Sequence, residues 1–166
     1  MTTPWFERSQ EERWLLNPCF CATLLWFTAS GFSKENERGF AFEEAFLVLP
    51  IVLHRETRTS LPRSISTSLA VWLENYPLTR GRIASHAKIL VPYTKESLLF
   101  GGLRGLFRFE IGQIVANDQW KRYINLSMKE SSDEVRECAS KAEFLGKWFS
   151  QSGNGYTVLA LIGVQP

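Results

Sequence analysis

The sequence predicts a mainly α-helical fold with one small β-hairpin, an α+β single domain of winged-helix-like order across residues 1–166. Three observations predict it. Apolar residues recur at helical spacing through most of the chain, only residues 106–116 alternate with the period of a strand, and proline or glycine punctuates the periodic segments. A chain of 166 residues with 45% apolar and 13% aromatic content can fill one substantial core, which excludes intrinsic disorder.

Residues 5–16 set Trp5, Phe6, Trp14, Leu15 and Leu16 around a charged middle. Residues 1–16 therefore read as an N-terminal arm, a short helix or ordered strap, that lays aromatics on a surface. Asn17-Pro18 is a sharp helix start, with Asn as N-cap and Pro at the first helical position. The run CFCATLLWFTAS is apolar nearly all round, as expected of a buried central helix. Gly31 reads as its left-handed stop. A polar loop, residues 33–39, follows.

The stretch 42–73 is the one the rest is organised around: two apolar helical patterns flank a short basic segment, forming a packed platform for assembly. Glu43 and Glu44 stand in the first turn of its first helix, where the macrodipole favours acids. Pro50 is expected to kink or restart that helix. The basic segment 54–63 reads as a loop, and Ser64 or Ser66 as the cap of a helix with Ile65, Leu69, Trp72, Leu73 and Tyr76 on one face. Pro77 stops it.

A further helix over 78–90 is broken by Pro92, and another covers 95–106. The hairpin turns at Ile111-Gly112 and forms a wing. Residues 117–130 read as a linker. Ser131-Ser-Asp-Glu134 is a capping box that opens a helix to about Ser150. Asn154 and Gly163 frame a last short segment, for which strand and helix both fit. The helical reading makes residues 131–166 a C-terminal helical hairpin.

Charge and motifs then limit function. A net charge of +2 is too small for a non-specific polyanion binder. The bias is local: Arg55, Arg58, Arg63, Arg80, Arg82 and Lys88 face only Glu56 and Glu74 within residues 54–88, a net +4, whereas residues 111–166 hold six basic and six acidic side chains. Guanidinium forks suit phosphate, and arginine is equally at home in protein interfaces, so this set is a candidate contact with a partner or DNA. Six tryptophans exceed what one small core needs. Trp5, Trp14 and Trp120, in segments of uncertain burial, are candidate interface anchors.

No catalytic constellation is visible. The chain has only two aspartates, Asp118 and Asp133, each in a predicted loop or helix cap, whereas metal-dependent phosphoryl chemistry recruits several carboxylates. There is no phosphate-binding P-loop and no nucleophile elbow. The G-x-x-G within residues 101–105 fits helix packing better than a phosphate cradle. His54 follows an apolar helix and reads as a capping group; His86 falls on a basic face. Cys19 and Cys21 would point about 200° apart on a helix, so no metal site is expected, and the thiols, Cys138 included, read as small apolar residues. The expectation is a non-enzymatic chain without cofactor, metal or small-molecule substrate. The N-terminus lacks the basic start and apolar run of a signal peptide, and the runs 19–27 and 45–53 are about half of the ~20 residues a membrane span needs. A cytoplasmic chain with no membrane segment is expected.

Four motifs carry a resemblance: LNP-x-F-C-A (residues 16–22), FLVLP-x-VLHR-x-TR (46–58), LPRS-x-x-TSL (61–69) and the closing GVQP (163–166). With the order of segments between them, almost the whole chain resembles the middle component of bacterial three-component ABC systems, best known from Lamassu-type anti-phage and anti-plasmid defence. That resemblance implies a small winged-helix-like adaptor, encoded beside an SMC/Rad50-like ATPase and an effector, often a nuclease. It implies a hetero-oligomer, with DNA contact through the complex, and no catalytic residues. The alternative from the residues alone is a winged-helix DNA-binding regulator.

Overall fold

The structure is a computed structural model that describes residues 3–164. Gln165 and Pro166 of the closing motif, and Met1 and Thr2 of the arm, lie outside the described residues. The chain is mainly helical with a small three-stranded antiparallel sheet.

A 3-10 turn, Trp5–Glu7, leads to α1 (Gln10–Leu15), whose cap Ser9 accepts from the Glu12 N–H at 3.1 Å. Asn17 caps α2 (Pro18–Glu35) as the sequence requires, its Oδ1 accepting from Cys19 N at 2.9 Å. Gln10–Glu35 is long and apolar enough by composition to cross a membrane. In this fold α2 is the central helix, mostly buried from Cys21 to Phe32, while Trp14 and Leu15 of the span face solvent.

Gly31 does not end α2, which runs one more turn. It lies where α2 crosses α8 (Asp133–Gln151), and a Cβ there would fall 2.1 Å from Glu143 O. Gly146 of α8 reciprocates, since its Cβ would fall 1.9 Å from Thr28 O. Two glycines thus let two backbones touch, and this contact is the most extensive in the molecule. The glycine reads locally as a stop, but tertiary packing decides its role.

Next come the short strand β1 (Phe40–Ala41), a 3-10 turn at Phe42–Glu44, and α3 (Ala45–Val52). Pro50 neither breaks nor restarts α3, which is buried except for the partly exposed Phe46 and ends two residues later. The basic segment is not a loop: α4 (Arg55–Ser60) occupies most of it, capped by His54. The cap of α5 (Leu69–Asn75) is Ser68, so Ser64, Ile65 and Ser66 precede the helix. Pro77 both follows α5 and opens α6 (Pro77–Leu103).

Pro92 does not interrupt α6. A proline in a helix interior costs about 3 kcal/mol. Here the flanks offset it, with Ile83 and Ala87 buried before it and Ser97, Leu98 and Gly101 after it.

The hairpin is β2 (Phe107–Glu110) and β3 (Gln113–Ala116), with Phe109 opposite Ile114. Ile111 and Gly112 both have positive φ, 47° and 74°, as a two-residue primed turn demands. β1 adds a third strand through Phe40↔Ile114, giving the order β1-β3-β2. A two-residue strand has no period to read, which is why the sequence shows only the hairpin. Gly101 and Gly102 serve packing, because a Cβ on either would strike the rings of Phe107 or Phe109.

The expected linker is mostly α7 (Lys121–Glu130). Ser132, one residue later than expected, caps α8 by accepting from Val135 N. The Ser131 hydroxyl turns back to Ser127 O, so the expected capping box of Ser131 with Glu134 does not form. Asn154 and Gly163 frame the helix α9 (Gly155–Ile162). The last two helices do not form a mutually packed hairpin. α8 lies on α2, while α9 packs on Phe42–Glu44, α5 and α6. The core gathers α2, α3 and α8, with Trp26, Trp72 and Trp148 each buried and each donating its indole N–H to a backbone carbonyl.

Candidate interaction surfaces

The N-terminal arm is fastened to α6 by one arginine. Arg8 is 4% exposed and its guanidinium donates to both carboxylate oxygens of Glu96, at 3.0 and 2.8 Å, and to Thr3 O at 2.8 Å. It also stacks 5.5 Å from the ring centres of Trp5 and Tyr93, and the Tyr93 hydroxyl donates to Glu12. Such charge-assisted contacts are directional, so the arm has a fixed orientation. Its aromatics point outward: Trp14 is 70% exposed, Phe6 and Leu15 are exposed, and Trp5 is partly covered by Arg8. Leu99 and Leu103 are also exposed on α6. Trp120 is exposed on another element, with Tyr123 edge-on to it at 6.2 Å. The sequence gives no signal for the clasp, since Arg8 and Glu96 lie 88 positions apart.

The six basic residues do not form one surface. Arg58 is 1% exposed and donates to Val52 O at 2.8 Å, Glu134 at 3.1 Å and Glu137 at 3.4 Å. It ties α4 to the C-terminus of α3 and to α8. Arg82 pairs with Glu56 of α4. Arg80 covers the C-terminal end of α9, where a Cβ on Gly163 would lie 3.0 Å from its Nε. A cation there suits the helix dipole. Arg55 and Arg63 are exposed, and Lys88 stands on a different side of α6 from Arg82, about 120° away at 100° per residue.

His54 is the N-cap of α4, its Nδ1 accepting from Thr57 N at 3.3 Å and meeting Thr57 Oγ1 at 2.8 Å. His86 lies 4.8 Å away, ring centre to ring centre. Burial, then the His86 charge, lowers the His54 pKa below its ordinary value. A neutral ring is the form that can accept, so the cap and the titration agree. The Cys21 thiol is pushed up to about 12 and Cys138 is also raised, both chiefly by burial. These two thiols are apolar packing groups, whereas Cys19 is exposed. Among the described residues no three His, Cys, Asp or Glu side chains gather where they could hold a metal ion.

An apolar groove of about 590 Å³ lies between the start of α3, the middle of α6 and the end of α9. Phe42 and Phe46 form one wall, Ala84, Ala87 and Val91 the floor, and Leu159 and Val164 the other wall. Its charged rim consists of Glu43, Lys88 and Lys95. The sequence places Lys88 in the basic set, but the groove needs α9 to fold back on α6, which no local pattern announces.

The family model for the ABC-three component (ABC-3C) system Middle Component 3 matches residues 5–166, and the chain belongs to that family. A middle component works alongside the other components of such a system. Comparison with curated proteins finds no match, and comparison with solved structures finds none.

Proposed function

We propose that this middle component is a non-catalytic, cytoplasmic adaptor that bridges an SMC/Rad50-like ABC ATPase and an effector, in a defence assembly of the Lamassu kind. Family membership supports an accessory role beside other components. The observation that carries the reading is the clasped arm. A buried arginine holds the segment rigid while Trp14, Leu15 and Phe6 face solvent. A partner that buries them meets pre-ordered anchors, which lowers the entropic cost of association. The order helix, strand, helices, hairpin, with β3 between β1 and β2, supports reading the fold as winged-helix-like. We take it as a protein-binding scaffold.

The test is a capture assay with the ATPase encoded beside this chain. Trp14→Ala with Leu15→Ala leaves the unfolding midpoint within about 0.5 kcal/mol of wild type, because these are exposed positions. It weakens capture at least about tenfold, as loss of an anchor does. Undiminished capture by a folded double variant would refute the arm as the contact.

The other reading, a DNA-binding regulator, loses force where Arg58 and Arg82 are engaged by their own protein. A salt-dependent mobility shift abolished by Arg55→Glu with Arg63→Glu would restore it.

A further inference from the structure

The arm does not account for the groove on the far side of α6. Its walls and floor are apolar, and Phe42 continues it outward by edge contacts to Phe46 at 5.7 Å and Phe109 at 6.2 Å. Phe42 remains 40% exposed, so a ring that could have closed the cleft stands open at its mouth. A volume near 590 Å³ falls in the range of sites that enclose a ligand or several side chains.

The rim selects the sign of what enters. Lys88 and Lys95 are both exposed, and neither forms an ion pair among the described residues. Seven residues apart, they project about 20° from each other around α6 and about 10 Å apart along it, with Val91 on the floor between them. Glu43, the one acid on the rim, is turned to its own protein. Its Oε1 sits against Gly155, the first residue of α9, where a Cβ would lie 2.6 Å away and where the helix dipole favours a carboxylate. The open charge at the groove is therefore positive and doubled at a fixed spacing.

We propose that this groove receives an amphipathic, acidic segment of a protein partner, its apolar side chains between Phe46 and Val164 and two carboxylates about 10 Å apart over Lys88 and Lys95. A helix with acids at i and i+7 has that spacing on one face, whereas an extended strand that matches the distance puts its acids at i and i+3 on opposite faces. The inference rests on the adaptor reading only for the existence of a protein partner. It adds a second contact, on a different face from the arm, as a bridge requires.

The probe is an array of overlapping peptides tiling the two proteins encoded beside this chain, followed by fluorescence anisotropy on the peptides it retains. Retained peptides are expected to be apolar with paired acids. Lys88→Glu with Lys95→Glu, both exposed and harmless to the fold by circular dichroism, weakens them about tenfold or more. Changing the peptide acids to Lys restores binding to that double variant. Ala84→Trp, which fills the floor, blocks both pairs. If Ala84→Trp perturbs folding, the charge swap alone decides. Retention of no peptide, or binding indifferent to the charge swap, overturns the proposal, as do peptides that bind a folded Ala84→Trp normally. Co-purification separates the two claims: a wild-type complex that forms while peptide binding fails sinks the groove and leaves the adaptor. Peptide binding without any complex sinks the adaptor alone.

Discussion

Replacing Arg58 by Met distinguishes an arginine that holds the fold from one that waits for a partner. The side chain is 1% exposed and its shortest bond, 2.8 Å, reaches Val52 O at the end of α3. Helix C-terminal carbonyls need an outside donor, and the other one near Val52 O, the Cys138 thiol at 3.8 Å, is weak. Loss of a charge-assisted hydrogen bond costs about 1.5–3 kcal/mol. The Glu134 and Glu137 side chains are 70% and 41% exposed, so they rehydrate and their ion pairs contribute only ~0–1 kcal/mol each. Relief of guanidinium desolvation offsets part of the total. Met fills similar volume, and a net loss of about 2 kcal/mol follows, a fall of roughly 4–8 °C in Tm for a chain of this size. Arg58→Ala adds a cavity and costs about 4 kcal/mol. Urea unfolding followed by tryptophan emission measures both, with Trp72 and Trp148 in edge contact at 5.4 Å as the reporter. Arg55→Met, exposed on the same helix, changes stability by less than about 0.5 kcal/mol. Equal effects of Arg58→Met and Arg55→Met would refute the assignment.

Gly146→Ala pushes a methyl into the backbone of Thr28, with no side chain able to yield, and should destabilise by about 3 kcal/mol or more in the same assay. A loss under 1 kcal/mol would mean that α2 and α8 can separate freely. His54 and Glu44 give opposite pH dependences, so each is read as a difference between variant and wild type. The His54 pKa is lowered on folding, so its contribution is complete above pH ~6.5 and is lost as pH falls from there through the folded value. His54→Asn keeps a cap and should remove that loss, up to ~1 kcal/mol; parallel curves from pH 7.5 to 5 would exclude it. The groups facing the ring are His86, Glu56, Arg82 and Arg58. Glu44, 1% exposed and bonded to Ala41 N at 3.1 Å, has its carboxyl pushed up to about 7 by burial. Its contribution is complete below pH 4.5 and is lost as pH rises through about 7. Glu44→Gln should therefore gain on wild type between pH 4.5 and 8, by on the order of 3 kcal/mol. A constant difference across that range would contradict the shift.

The features legible in the sequence are those whose physics is local. Asn17 and Asn154 cap helices because a short polar side chain reaches a free N–H two or three residues on, and Ile111-Gly112 turns because the hairpin has nowhere else to reverse. The split of the tryptophans was legible too. Trp5, Trp14 and Trp120 lie in segments without a continuous apolar face, and these are the exposed ones. What could not be read depends on distant partners. Gly31 looks like a stop until Gly146 stands opposite it. Pro92 looks like a break until both flanks are seen packed. Arg58 counts as surface charge until Glu134, 76 positions away, and the end of α3 enclose it. The basic segment therefore shrinks to Arg55 and Arg63 as free surface, and the strongest candidate contacts move to the arm and to Lys88 and Lys95.

Bridging itself is tested most directly by co-expressing the ATPase and the effector encoded beside this chain, with and without it, and weighing what a tag on the ATPase recovers by native mass spectrometry. The account predicts one assembly holding all three proteins when the chain is present, and ATPase without effector when it is omitted. Recovery of the effector with the ATPase in the absence of this chain, or recovery of neither the chain nor the effector in its presence, would contradict it.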